Sequence, residues 1–426
     1  MAPGKSTGFF IMIGQKQGTP GPDLITGDKG VDFLEGLAGN DTLLGSPGAD
    51  ILSGGDGYDT VSYETSAAAV SINLATSIGQ NGDADSDTYV DIECVIGSIY
   101  NDNLTGDHKA NYLAGGAGND VLIGRQGIDT LDGGVGDDSY HVSDDDLIIE
   151  HVGGGHDKIF ASTNFTLALD AEIEELFAVG ARPTTLSGSN HANTFYGNDH
   201  SNTFVGLSGN DTYYCAAGDV VIEASQGGYD IVYAETGFAL GLEEEIEELV
   251  LSSSNTADLQ GSNTNNKIVG NGVQNSLWGF GGNDTILGAA GKDIISGGKG
   301  NDKIYGGLDA DQLAGGRGKD LFIFDTPPNK KSVDRVMDFN VKDDSIWLEN
   351  KIYTVGGKGS EKKPVKIKKD LFQVGTKAAD AEDRVIYDKK AGVLYYDVDG
   401  TGSAVQVKIA TLTKNLSITY SDFYVI

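Results

Sequence analysis

Residues 279–323 read GFGGNDTIL, GAAGKDIIS, GGKGNDKIY, GGLDADQLA and GGRGKDLFI, five nine-residue units in unbroken succession. The consensus is Gly-Gly-x-Gly-x-Asp-x-apolar-x. The sixth position holds Asp284, Asp293, Asp302, Asp311 and Asp320, and the eighth holds Ile286, Ile295, Ile304, Leu313 and Phe322. Self-similarity at a fixed period decides the architecture before any single element is considered. Within a unit the glycines permit tight, left-handed backbone, and the x-apolar-x triplet makes a short strand with one residue facing inward. Two such units close one coil of a parallel β-solenoid.

Working outward, the same phase appears in four arrays. Residues 18–62 carry Asp23, Asp32, Asp41, Asp50 and Asp59, and residues 97–141 carry Asp102, Asn111, Asp120, Asp129 and Asp138. Residues 188–214 form a short, degenerate array with Asn193, Asn202 and Asp211. Residues 261–323 open with Asn266 and Asn275 before the five units quoted above. Every unit has an apolar or aromatic eighth residue, which chance does not produce.

The intervening segments repeat as well. Residues 138–188 and 211–261 align at an offset of 73, with Glu150 opposite Glu223 and Ile173-Glu174-Glu175-Leu176 opposite Ile246-Glu247-Glu248-Leu249. Short runs such as DLIIE, DKIFA, DVVIE and DIVYA read as strands between turns. Residues 142–187 and 215–260 are therefore expected to be wider coils of the same solenoid. The acidic run 243–248 is expected to be a solvated edge rather than a helical turn. Residues 63–96 are a further insert, and 1–17 an N-terminal cap. After Thr326 the period stops at Pro327-Pro328, and DRVMDF, SIWL, KDLFQVG, DRVIYD, VLYYDVDG and AVQVKIATL predict a compact β domain over 324–426. Asp388-Lys389-Lys390-Ala391-Gly392 predicts a hairpin turn. Asp397-Val398-Asp399-Gly400 predicts a plain acidic turn, since no downstream Glu completes a calcium loop.

Charge follows the same division. The chain has 426 residues, 62 of them Gly, and a formal net charge of −33. Residues 1–326 hold 49 Asp and Glu against 13 Lys and Arg, whereas 327–426 hold 14 against 17. The acidic part repels nucleic acid and anionic membrane and invites divalent cations. The only early apolar run, at 9–13, is too short for a secretory signal core or a membrane span. Cys94 and Cys215 have no metal-ligand spacing and are expected to be free residues packed in strands. The six histidines make no zinc site.

The sixth-position aspartates carry the chemistry. Residues eighteen apart fall on the same edge of successive coils, so Asp23, Asp41 and Asp59 line one edge and Asp32 and Asp50 the other. Strands in a sheet lie about 4.8 Å apart. At that distance two carboxylates repel by roughly 1 kcal/mol in water and about 3–4 kcal/mol at a surface-like dielectric. A hard divalent cation with oxygen ligands removes the repulsion, and calcium accepts mixed carboxylate and carbonyl donors more readily than magnesium does. Metal binding is then expected to be coupled to folding. Asp–Asp pairs at this spacing number three in the first array, two in the second and three in the fourth, which predicts about eight strong sites, with Asn–Asp pairs as weaker ones.

These units resemble the RTX (haemolysin-type) calcium-binding repeats, and the resemblance covers nearly the whole chain. Residues 321–426 are similar to the C-terminal region of serralysin-type proteins through DRVMDF, LFQVG, DRVIYD and LYYDVDGTG. The resemblance implies type I secretion with an uncleaved C-terminal signal, for which Asp422-Phe423-Tyr424-Val425-Ile426 fits, and folding outside the cell where calcium is abundant. The same residues also read as a last core strand. The zinc helix His-Glu-x-x-His of the family's proteases is absent, and Gly4-Lys5-Ser6-Thr7-Gly8 is a chance match to a nucleophile elbow. The expectation is thus a non-enzymatic, secreted calcium-binding scaffold for a surface, matrix or host interaction. Extracellular polysaccharide or a host surface would be its partner. The alternatives are a polysaccharide lyase or epimerase with its site on the solenoid flank, and a self-assembling surface-layer or adhesin subunit.

Overall fold

The computed structural model describes residues 14–143 and 145–426. The apolar run at 9–13, the glycine-serine match at 4–8 and most of the expected cap at 1–17 lie outside the described residues. Among the described residues, helix is confined to three 3₁₀ turns, at Gly82–Ala84, Lys369–Leu371 and Tyr420–Asp422. The rest is short strands and turns. The fold is all-β, a parallel solenoid, as the nine-residue period requires.

The chain forms two compact bodies, one up to Gly209 and one from Asn210. In the first, one flank is a parallel ladder of Leu24–Thr26, Thr42–Leu44, Thr60–Ser62, Cys94–Ile96, Tyr112–Ala117, Thr130–Val135 and Leu147–Ile149. The opposite flank stacks Gly14–Gln17, Asp32–Ala38, Ile51–Asp56 and Thr88–Val90. It also stacks Ser71–Asn73, Asn103–Thr105, Val121–Ile123, Ser139–Val142, Lys158–Ala161, Glu175–Ala178 and Thr194–Tyr196. Residues 63–96 are built into the stack: Cys94 pairs with Thr60 on one side and Tyr112 on the other, while Thr88 pairs with Ile51.

The second body repeats the plan. Thr212–Cys215, Ile231–Ala234, Glu248–Leu251, Lys267–Val269, Thr285–Leu287, Lys303–Tyr305, Leu321–Phe324 and Ser345–Leu348 run up one flank. Phe238–Ala239, Asp258–Gln260, Ser276–Gly281, Ile294–Lys299, Gln312–Arg317 and Asp334–Val336 run up the other. Both ladders thus continue past Thr326. Past them, antiparallel pairing joins Val407–Thr411 to Val393–Tyr396 and that strand to Val385–Asp388. The hairpin expected at 388–392 is present between the last two. Phe423–Val425 inserts between Ser345–Leu348, to which it is parallel, and Val365–Lys366, to which it is antiparallel.

The core is the column of eighth-position residues. All twenty, from Ile25 to Phe322, are buried, and most are fully so. Each apolar side chain removed from water contributes about 1.5–3 kcal/mol, and the parallel register places it on its neighbour eighteen residues away. Cys94 and Cys215 are buried thiols in strands.

In the segments between arrays the steps alternate. Ser139 pairs with Lys158, Lys158 with Glu175, and Glu175 with Thr194, steps of 19, 17 and 19 residues. The second body repeats 19, 17 and 19 at Thr212, Ile231, Glu248 and Lys267. Here aromatic residues stack along the sheet. His141, Phe160, Phe177 and Tyr196 follow one another at 4.8, 4.9 and 4.4 Å between ring centroids.

Candidate metal centre

A carboxylate has two oxygens, and in these coils they have different surroundings. Within a stack, one oxygen of a sixth-position aspartate accepts the backbone N–H of the sixth-position residue one coil earlier, whereas Asp23, Asp32 and Asp102, which open their stacks, accept from Thr19, Asp28 and Val70. Asp23 donates to Asp41 and Asp41 to Asp59, each at 2.8 Å, and Asp32 donates to Asp50 at 2.8 Å. Asp102 donates to Asp120 and Asp120 to Asp138, both at 2.7 Å. Asp284 donates to Asp302 and Asp293 to Asp311, both at 2.9 Å, and Asp302 donates to Asp320 at 3.0 Å. The aspartates predicted to stack therefore do stack, along two edges, in register with the strands.

The second oxygen faces inward. Oδ2 of Asp41, Asp59, Asp120, Asp129, Asp138, Asp284, Asp293, Asp302, Asp311 and Asp320 is buried and has no hydrogen-bond partner. An unsatisfied buried carboxylate oxygen costs several times what an ordinary missing hydrogen bond does. Each of these oxygens lies over the glycine that opens its own unit. A Cβ built on Gly288 would lie 2.6 Å from Oδ2 of Asp293 and 2.5 Å from the carbonyl oxygen of Gly306. Gly36, Gly115 and Gly279 are hemmed in the same way by Asp41 and Gly54, by Asp120 and Gly133, and by Asp284 and Gly297. The first glycine of the motif thus keeps side-chain atoms out of a space bordered by a bare carboxylate oxygen and a main-chain carbonyl oxygen. That donor set is all oxygen, suited to calcium.

Burial sets the electrostatics. Loss of water pushes Asp120 up to about 8, and Asp129, Asp138, Asp284, Asp293 and Asp320 to about 7. Asp302 and Asp311 rise to about 6, and Asp50, Asp59 and Asp102 rise too. The backbone N–H bond pulls each of these down, though less than burial raises it, and for most of them the carboxylate next along the stack adds to the rise. Metal-free, the column holds protons near neutrality; a divalent cation would displace them.

Asparagine changes the chemistry. Asn266 Nδ2 donates to the carbonyl of Ile246 at 2.6 Å, Asn275 Nδ2 to that of Ala257 at 3.0 Å, and Asn193 Nδ2 to that of Ile173 at 2.5 Å. Asn202 Nδ2 donates to the carbonyl of His200 at 2.7 Å. An amide supplies its own donor where an aspartate leaves an oxygen bare. In an Asn–Asp pair only the aspartate, as at Asp129, Asp284 and Asp293, keeps a bare oxygen.

The column also recruits carboxylates that the nine-residue spacing does not mark. Asp50 donates its N–H to Asp87, and Asp138 to Asp157. Asp211 donates to Asp230, Asp311 to Asp334 and Asp320 to Asp344. At the 17-residue steps a glutamate, one methylene longer, takes over: Asp157 donates to Glu174 and Asp230 to Glu247, each at 2.7 Å. The run 243–248 is accordingly neither a helical turn nor a free solvated edge. Glu244, Glu245 and Glu247 accept the N–H groups of Glu223, Gln226 and Asp230. The signal was present in GHDKIF and GYDIVY, which keep Gly-x-Asp-x-apolar but have Val152 and Ser225 where a unit opens on glycine. Asp397-Val398-Asp399-Gly400 is a turn in which Asp399 N–H donates to Asp397.

No helix among the described residues is long and apolar enough to cross a membrane, which leaves strand-built spans unaddressed. No curated protein matches the chain. The family model of the RTX calcium-binding nonapeptide repeat matches residues 17–43, 26–61, 96–131, 114–146, 180–214, 260–295 and 287–322. Those matches coincide with the four arrays and leave the segments between them, and the C-terminal hundred residues, unmatched. Phased glycines, stacked aspartates and a buried apolar column, together with that match, identify the four arrays as RTX calcium-binding nonapeptide repeats within a parallel β-solenoid.

Proposed function

We propose that this is a secreted, non-enzymatic protein that folds on meeting extracellular calcium and then serves as a scaffold at a surface, in a matrix or against a host. The observation that carries the reading is the column of buried, unpartnered Oδ2 atoms. Asp41, Asp59, Asp120, Asp129, Asp138, Asp284, Asp293, Asp302, Asp311 and Asp320 would hold the ions together with the carbonyl oxygens across the coil boundary. Asp23, Asp32, Asp50, Asp102 and Asp211 extend the same edges. Calcium would neutralise the stack and tie successive coils together, and the remaining chain would supply backbone acceptors and apolar packing.

Folding coupled to calcium supports passage out of the calcium-poor cytosol as an unfolded chain, through a type I apparatus reading residues 422–426. Stacked carboxylates that each accept a backbone N–H are structural, which favours a scaffold over a catalyst on the solenoid flank. Far-ultraviolet circular dichroism of the full chain tests the reading. β-Structure should appear cooperatively on addition of millimolar calcium and vanish with chelator. The same compact form in metal-free buffer at neutral pH would refute it.

A further inference from the structure

Each super-repeat gathers three carboxylates, one from a matched repeat and two from the unmatched segment that follows it. Asp138, Glu150 and Asp157 each bring one oxygen, all within 4.8 Å of one another, and Asp211, Glu223 and Asp230 do the same. The groups are held alike in both places. Asp138 N–H donates to Asp157 and Asp211 N–H to Asp230, each at 2.8 Å. The Tyr140 hydroxyl donates to Glu150 Oε1, and the Tyr213 hydroxyl to Glu223 Oε1.

A second observation is independent of the clustering. Oδ2 of Asp138 and Oδ2 of Asp230 are buried without a hydrogen-bond partner on residues only 1% exposed. The Asp138 oxygen points into the cluster: a Cβ built on Gly133 would strike both it and the Tyr140 hydroxyl that grips Glu150. A Cβ on Gly154 would lie 2.8 Å from Glu150 Oε2 and 3.1 Å from the carbonyl oxygens of Gly134 and His151. Carboxylate, phenol and carbonyl oxygens thus meet at the site. Calcium bonds oxygen at about 2.3–2.6 Å in a flexible shell of mixed donors, which suits oxygens that all lie within 4.8 Å of one another better than magnesium's tight octahedron does.

We infer that Asp138–Glu150–Asp157 and Asp211–Glu223–Asp230 are a second kind of calcium site, built on a glutamate that the nonapeptide motif lacks. The inference deepens the reading of this chain as a calcium-folding protein and rests on it. The competing occupant is a proton, since burial lifts Glu150 and Glu223 to about 8 and a neutral acid can share its hydrogen with the tyrosine.

The Glu150→Gln/Glu223→Gln double variant separates the two, because glutamine copies the neutral acid. Calcium bound per full-length chain at saturation, counted by equilibrium dialysis, should fall by one ion for each triad. An unchanged count in the folded variant overturns the inference while leaving the repeat sites intact. Absence of bound calcium in the unmodified chain would instead strike at the proposed function. Should the glutamine variant fail to fold, Tyr140→Phe/Tyr213→Phe keeps all six carboxylates and decides the matter with terbium. Tyrosine-sensitised emission should drop at an unchanged ion count, and undiminished emission counts against an ion beside those hydroxyls.

Discussion

At the scale of one residue, the sixth-position aspartate does two separable jobs. Asp302 accepts the N–H of Asp284 with one oxygen and leaves the other bare. Asp302→Asn keeps the acceptor and supplies a donor, as Asn266 and Asn275 already do. It should raise the calcium midpoint several-fold in a titration followed by circular dichroism, yet stabilise the calcium-free chain. Asp302→Ala removes both functions and strands a buried N–H, which costs about 1–3 kcal/mol beyond the lost ion. The glycines make the converse point. The second position of a unit takes positive φ, 110° at Gly298 and 96° at Gly316, but Leu37, Phe280 and Ala289 stand there at 83°, 70° and 73°. Ala289→Gly should therefore raise calcium-loaded stability by about 0.5–1 kcal/mol in urea unfolding, against the usual entropic penalty of glycine. The stacking of aspartates at regular spacing was legible because the phase itself sets the register. Asp87, Asp157, Asp334 and Asp344 were not, since they join the column at steps of 37, 19, 23 and 24 residues.

At the scale of the coil, the column couples protons to metal. Asp120, Asp284 and Asp293 have folded-state values of about 8, 7 and 7, above the unfolded value near 4. A raised value means that the metal-free coil is best tolerated below about pH 4 and loses stability as pH climbs through about 6–8. Metal-free protein should thus show more β-structure at pH 5 than at pH 8. Calcium binding has the opposite sense, because the ion requires the deprotonated form, and its midpoint should fall as pH rises across the same window. A calcium midpoint independent of pH from 5 to 8 would contradict the coupling. The strands were readable from x-apolar-x triplets, and the continued register through 63–96 was not. An insert of that length gives no hint that Thr88–Val90 and Cys94–Ile96 resume both ladders. The acidic run 243–248 misled for a similar reason: charge usually marks a solvated face, but here glutamate carries the column across a shortened step.

At the scale of the whole molecule, the two ends of the charge distribution have different work. The acidic arrays carry the calcium-binding repeats, whereas the C-terminal hundred residues close the second body with antiparallel strands. Ser345–Leu348 covers the edge of Leu321–Phe324, and Asp334–Val336 covers that of Gln312–Arg317. A chain cut after Thr326 would bare both edges, and open parallel edges template further pairing. Such a fragment should grow in size by light scattering in millimolar calcium, while the full chain does not. The composition shift near Thr326 is visible in sequence. Its structural meaning was not, because short β-branched runs look alike whether they stack on a coil or form a separate sheet.

The placement of Phe423–Val425 carries an implication about time. Those residues sit in the middle of three strands, with Phe423 and Val425 fully enclosed. The closing layer cannot be finished until residues 423–425 have slotted home. Any partner that needs the side chains of Phe423 and Val425 would have to engage them before that layer shuts.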